Sequence, residues 1–481
     1  MHENRKNEWE LYRRMNGWNK ETTGSEFVTK VSSVPDVAEA VSAFSSYCDE
    51  IQSILSHIIE IGKCNINDQL LAGILNGKVS SELQRLLPNN VRKKAGLFFT
   101  SSLLAQKVAT QLSPLLQNGC KVMDPACGAG NLLLACASYL PRGNSLEATL
   151  RIWSQHIFGF DLHEVFIRAA RLRLTLLALC MHPGEHAVLR TIQADNVFDG
   201  LKVGDALSEF IIESDTCIAL NPPFGHIQTP SNCNWANGKL QIAAWFHEQL
   251  LLKTAAGVHT VAILPDVLRS GTRYHNWRKL TASLCSAMDI ESVGPFDEST
   301  DVDVFILHAV RGTHHEGLSG WPSHNFRLPQ FQHIVSDFFD VHVGPVVPHR
   351  DKLEGPNYPY IHARTAPAWQ TIDLIQEERR YLGRAFQAPF IVIHRTSSPN
   401  DKHRCVATII NETRSVAVEN HLLVLLPHDK SIESCRKLVE SLQLTETNDW
   451  INSRIRCRHL TVSAIKELPC KNIRDKNKLN K

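Results

Sequence analysis

None of the 13 cysteines stands in a Cys-x-x-Cys pair, and their number is odd. Zinc ribbons and dithiol redox motifs are therefore excluded, and a disulfide framework is disfavoured, which predicts a reducing compartment. No run approaches the roughly 18 apolar residues that a membrane-crossing helix needs. The polar start, MHENRKNEWELYRR, lacks the apolar core of a signal peptide, so a cytoplasmic chain with no membrane partner is expected. A phosphate-cradling G-x-x-x-x-G-K-S/T loop is missing, which excludes an ATP-driven motor. Pro265-Asp266 is not followed by the Glu-x-Lys of a nuclease metal site, so no fused endonuclease is expected. Metal ligation fares no better. His182 and His186 are separated by Pro183-Gly184, which breaks the helix their spacing would need, and His314-His315 has no partner ligands. Finally, 51 basic residues oppose 49 acidic ones, for a net charge of +2. The overall field neither demands nor forbids a polyanionic partner, and any basic surface must be local.

At 481 residues, 43% hydrophobic and 21% charged, the chain is globular and long enough for two or three domains. No internal repeat is evident. Apolar residues at Val37, Val41, Phe44, Ile51, Ile54, Leu55 and Ile58 recur at three and four spacings, predicting an all-helical lead-in over 1–95. Thr100 or Ser101 is placed to cap a following helix. From there strands and helices alternate. Strands are expected at 120–124, 157–161, 189–194, 216–220 and 258–264, with helices at 131–140, 163–181 and 239–256, and two further apolar runs, 289–293 and 302–310, are expected to pair as an edge addition. This predicts an α/β fold with a doubly wound, mostly parallel sheet over 96–311, whose ligand sites lie beyond the carboxyl ends of its strands. Past Gly312, clustered Pro, His and Gly give way to short strands at 390–394, 405–410 and 421–426, predicting a strand-rich domain over 312–481.

Three strand ends carry chemistry. Asp124-Pro125-Ala126-Cys127-Gly128-Ala129-Gly130-Asn131 joins a strand to a helix, and its small residues let backbone approach a ligand at a helix N-terminus. Leu133 fills the third glycine place, so this is not the dinucleotide pattern. Asp161 and Asp195 close the next two strands. In that order they suit an adenosine, one chelating ribose hydroxyls and the other accepting from an adenine amino group, although either Asp alone is more often a cap or turn former. Asn221-Pro222-Pro223-Phe224 ends the fourth. Two prolines make a rigid turn without N–H groups, so the Asn221 amide and the Pro222 carbonyl can hold both hydrogens of an exocyclic amino group while Phe224 stacks on its ring. Out-of-plane acceptors favour a pyramidal, nucleophilic nitrogen in the transition state.

Taken in order, Phe98-Phe99-Thr100, DPACGAG, two strand-ending aspartates and NPPF resemble the N6-adenine DNA methyltransferases of bacterial restriction-modification systems, in the gamma motif order, from about Gly96 to Val310. That resemblance implies a class I methyltransferase, Rossmann-like, using S-adenosyl-L-methionine and acting on an adenine flipped out of double-stranded DNA in a bacterial or archaeal cytoplasm. Phe99 and Thr100 would line the methionine end of the cofactor, Asp124, Ala126, Gly128, Gly130 and Asn221 its surroundings, Asp161 its ribose and Asp195 its adenine. Phe296 would form a second wall of the target-base pocket, although an aromatic at a strand edge is as often core, and 312–481 would be the target-recognition domain, where Arg395, Lys402, Arg404, Arg454, Arg456 and Arg458 interleave as candidate phosphate contacts or, equally, as a solvated basic face. A separate restriction endonuclease or specificity subunit remains an open partner. Amino-methyltransferases of ribosomal RNA or of protein glutamine share Asn-Pro-Pro-aromatic, and a non-catalytic nucleic-acid-binding subunit is the third alternative.

Overall fold

The computed structural model describes residues 44–61, 73–75, 81–82, 85, 99–190, 197–209, 212–297, 302–313, 321, 332–471 and 473. Two compact units emerge: residues up to 268 with 273–322, and 269–272 with 323 onward.

In the first unit α1 (Ser45–Ile61) buries Tyr47, Cys48, Ile51, Leu55 and Ile58, the three-and-four spacing of an amphipathic helix. Ser101, rather than Thr100, caps α2 (Ser102–Gln117), its side chain accepting from the Leu104 N–H. Then follow β1 (Lys121–Asp124), α3 (Asn131–Ala137), α4 (Leu146–His156), β2 (Ile157–Asp161), α5 (Glu164–Met181), β3 (Leu201–Val203), β4 (Thr216–Leu220), α6 (Ile242–Lys253), β5 (His259–Pro265), α7 (His275–Ser283), β6 (Cys285–Pro295) and β7 (Asp303–Arg311). The expected strand at 189–194 is corrected in part. Residues His186–Arg190 form a 3-10 turn, 191–196 lie outside the described residues, and the third strand is Leu201–Val203. Only Leu201 of that strand is buried, as suits a sheet edge, and such a short run leaves no periodic signal.

The seven strands lie in the order β3-β2-β1-β4-β5-β7-β6. All run parallel except β7, which is antiparallel to both β5 and β6. The two late strands do pair, but the apolar β7 takes the inner place and β6, with alternating burial, takes the edge. β4 is buried along its whole length, because helices cover both faces of a parallel sheet. The winding reverses between β1 and β4. A crevice opens at such a switch point, at the carboxyl ends where Asp124, Asp161 and Asn221 stand.

The second unit is built on β8 (Phe339–Val343), β9 (Thr371–Ile372), β10 (Phe390–His394), β11 (Ala407–Ile410) and β12 (Leu422–Pro427), in the order β8-β12-β10-β11-β9. Two-residue periodicity divides its core. Ile391, Ile393, Leu423 and Leu425 face α8 (Ile432–Leu442) and α9 (Thr445–Arg454), while Phe390, Val392, Leu422 and Val424 join Phe386, Val416 and Val418 on the other face. Among the described residues of the chain, no helix is long and apolar enough to cross a membrane.

Candidate active site

The turn after β1 is shaped by two glycines in the left-handed region, Gly128 at φ 50° and Gly130 at φ 83°. A β-carbon on Gly128 would come within 2.7 Å of Phe99 Cε1, and one on Gly130 within 2.9 Å of Ala170 Cβ. Both dihedral and space therefore demand glycine. Asp124 lies beneath the turn, 2% exposed, with Oδ1 accepting the Ala126 N–H at 3.0 Å. Burial pushes its carboxyl up to about 8, with the charge of Asp161 adding to the rise. Asp161, at the end of β2, reaches across: Oδ2 accepts the Gly128 N–H at 3.1 Å, and Oδ1 accepts the His163 N–H at 2.9 Å. The His163 ring, Nδ1 at 3.1 Å from Oδ1, sits against Phe166 and steadies the same carboxylate.

Phe99 forms the opposite wall. It packs edge-on to Phe166 at 5.2 Å between centroids, and Phe44 lies 6.0 Å away, so α1 and α5 fix the ring that covers Gly128. Thr100 follows, 4% exposed, and its Oγ1 accepts from Asn221 Nδ2 at 3.0 Å. The structure thus brings together Phe99, Thr100, Asp124, Ala126, Gly128, Asp161 and Asn221 at one rim. Asp195 lies outside the described residues. Phe224 and Phe296 are both buried and meet each other, centroids 5.3 Å apart and planes at 70°, an edge-to-face contact.

Beyond Phe224 the chain forms a hairpin from His226–Gln228 and Lys239–Gln241. Its connecting loop is fastened to α6, because Trp235 Nε1 donates to Glu248 Oε2 at 2.6 Å. Burial pushes the Glu248 carboxyl up to about 7 against the opposing pull of that hydrogen bond. Tyr274 accepts the Gln241 N–H through its hydroxyl at 3.0 Å.

Two residues close to the site, His163 and Arg173, were not anticipated, and a third, Asn131, reads from the sequence only as the end of the glycine-rich turn. His163 carries no signal beyond its place two residues after Asp161. Asn131 opens α3, and its Nδ2 donates to the Thr100 carbonyl at 2.5 Å. Arg173 is readable in retrospect: it falls on the i, i+3, i+4, i+7 stripe with Phe166, Ala169 and Ala170, where an arginine is out of place. One candidate phosphate contact is corrected. Arg404 is 1% exposed and donates to Ser397 Oγ, Asn452 Oδ1 and the carbonyls of Ile455 and Cys457, so its whole fork is engaged inside the second unit.

Residues 82–278 match the family model described as N-6 DNA Methylase. No curated protein matches the chain. Solved structures similar to it include the type IIL restriction-modification enzyme MmeI in complex with DNA, at 14% identity over 81% of this chain and 70% of that one, TM-score 0.48. The type IIG restriction endonuclease BpuSI is similar at 13% identity over 85% and 62%, TM-score 0.43. A modification subunit ascribed to a type I restriction enzyme of Vibrio vulnificus YJ016 is similar at 18% identity over 49% and 50%, TM-score 0.33. The chain spans half the length of that subunit.

Proposed function

We propose that the N-6 DNA methylase domain of residues 82–278 transfers a methyl group from S-adenosylmethionine to the N6 amino group of an adenine in DNA, within a restriction-modification system. The observation that carries this reading is the hydrogen bond from Asn221 Nδ2 to Thr100 Oγ1 at 3.0 Å. With Nδ2 turned to the Thr100 hydroxyl, Oδ1, which diverges from it at the same carbon, is turned away from Thr100. The oxygen is thereby assigned the role of acceptor for an amino group, with the Pro222 carbonyl as its companion.

The cofactor would be held by residues that fit it. Two side-chain-free residues, Gly128 and Gly130, keep the turn after β1 tight at the end of the sheet, and the Asp161 carboxylate beside it is assigned to the ribose. Phe99 and Thr100 border the same rim, and Asp195 is assigned to the adenine. When bound, S-adenosylmethionine supplies an electrophilic sulfonium methyl. The protein's own part is positioning. Asn221 and the Pro222 carbonyl accept the two hydrogens of the adenine amino group, which favours a pyramidal nitrogen as it becomes nucleophilic. Phe224 would stack on the base with Phe296 as its neighbour, once a ring face now buried is uncovered. An amino nitrogen inside a duplex cannot be reached along the required axis, so the adenine is flipped out of the stack. The second unit is assigned to recognising the DNA target.

The test is transfer of tritiated methyl groups to duplex DNA by the chain and by Asn221→Ala. The variant should bind S-adenosylmethionine and lose about 10²- to 10³-fold in rate, the scale of removing one transition-state hydrogen-bonding group. Undiminished transfer would remove Asn221 from the mechanism, and transfer to RNA or protein in place of DNA would replace the substrate.

A further inference from the structure

Arg173 is 1% exposed, and burial of its guanidinium pulls its pKa down. The groups that meet it are neutral dipoles. Nε donates to the Ile74 carbonyl at 3.0 Å, Nη2 to the Leu75 carbonyl at 2.9 Å, and Nη1 to the Ala129 carbonyl and to Asn131 Oδ1, the latter at 2.7 Å. Burying a charge among such partners is costly, so a methionine would suit a helix core better unless the fork has a task. The next bonds indicate one. Asn131 Nδ2 donates to the Thr100 carbonyl at 2.5 Å, and Thr100 Oγ1 accepts from Asn221 Nδ2 at 3.0 Å.

We propose that Arg173 and Asn131 are positioning residues that set the placement of Asn221 through Thr100, by the hydrogen-bond relay Arg173 to Asn131 to Thr100 to Asn221. The proposal rests on the methyl-transfer reading above and names how that site is held. An arginine has donors and no acceptor, so whatever end of Asn131 it meets must be the oxygen. This locks the amide against the flip that would set its oxygen against the Thr100 carbonyl. Asn131 then grips the peptide that joins Thr100 to the cap of α2, so Thr100 is held on its carbonyl side by α3 and presents its hydroxyl to Asn221. The carbonyls of Ile74 and Leu75 fix the far end of the guanidinium, which draws the helical lead-in into the support of the catalytic loop.

Asn131→Asp tests the relay without undoing the fold. The carboxylate keeps an acceptor toward Arg173, forms an ion pair there and adds a negative charge at the first turn of α3, which favours folding. It cannot donate to Thr100, and two oxygens then face each other. Expected for Asn131→Asp are a melting temperature equal to or above that of the parent, undiminished S-adenosylmethionine affinity by calorimetry, and a single-turnover methyl-transfer rate lower by about tenfold to a hundredfold, the scale of a misplaced catalytic group. Thr100→Val, which removes the hydroxyl that accepts from Asn221, should lose the rate, and Thr100→Ser, which keeps it, should lose less. Combined with Asn131→Asp, Thr100→Val should add little, because both break one path. The ¹⁵N side-chain amide signal of Asn221 should also move in Asn131→Asp, a readout that needs no turnover. A full rate in the folded variant, additive losses in the double variant, or an unmoved Asn221 signal overturns the relay. A shifted signal in a parent that methylates no DNA upholds the relay and rejects the substrate reading.

Discussion

Glu248 offers a sharp quantitative test of how the loop after Phe224 is held. Its carboxyl is buried beneath Trp235, and burial raises it from 4.5 to about 7 in the folded chain. A carboxyl whose folded pKa exceeds its unfolded one contributes fully below the unfolded value, and that contribution is lost as pH rises through the folded value. The window therefore runs from about pH 4.5 to 7. At about 1.36 kcal/mol per pKa unit, the whole window is worth about 3 kcal/mol. Part of it has already gone at pH 5, which leaves about 2.5 kcal/mol between pH 5 and pH 8. Glu248→Gln keeps an oxygen for the Trp235 N–H and carries no charge. Its new amide N–H₂ must be buried, a penalty that is the same at every pH, so the sign of the variant's effect at a single pH decides nothing. The informative quantity is the change in the variant-minus-parent difference. In melting experiments on a unit of roughly 300 residues, with an unfolding entropy of about 2.1 cal/mol/K per residue, about 2.5 kcal/mol corresponds to about 4 °C, and the difference should shift in favour of Glu248→Gln by that amount from pH 5 to pH 8. A difference that does not vary with pH would show that the carboxyl is not desolvated as its burial implies.

Two further outcomes follow from geometry alone. Gly128→Ala combines a left-handed φ with a β-carbon 2.7 Å from the Phe99 ring, so it should destabilise the first unit by about 1–3 kcal/mol and displace Phe99. Calorimetric titration should show weakened S-adenosylmethionine binding, and an unaltered affinity would remove this turn from the cofactor site. Arg404→Lys keeps the charge and loses the planar fork. Each buried acceptor it abandons costs about 1–3 kcal/mol, so the melting transition of the second unit should fall, whereas a residue used only to meet DNA phosphate would tolerate lysine with no change in melting.

What could be read from the sequence follows from how local each signal is. Strands β1, β2, β4 and β5 are largely apolar runs because both faces are covered, and the ends of three are marked by Asp124, Asp161 and Asn221, so strand and strand end were legible together. β3 was not, since an edge strand of three residues with one buried side chain has no period to detect. Arg404 misled for a related reason: an arginine among other basic residues reads as a solvated face, and only the fold reveals that Ser397, Asn452, Ile455 and Cys457 surround it.

The pocket's interior was beyond reach for a different reason. Asn131 and Thr100 are 31 residues apart, Thr100 and Asn221 are 121 apart, and no spacing rule connects them. Motif reading supplies Thr100 and Asn221 as separate ligands, one for the cofactor and one for the base, and the structure makes each the other's support. Phe224 and Phe296 show the same limit. Each can be nominated as a wall for the target base, yet their centroids stand 5.3 Å apart in edge-to-face contact. A planar base stacked between two parallel rings needs about 7 Å, two stacking distances of roughly 3.5 Å. On the proposed reading a base would therefore stack on one ring face, that of Phe224, or enter by displacing Phe296. Because Phe296 is 2% exposed and its N–H is bonded to the Val302 carbonyl, the displacement would open the sheet end between β6 and β7. Phe224 is itself only 5% exposed, so by either route a buried ring face must be uncovered before a base can stack there.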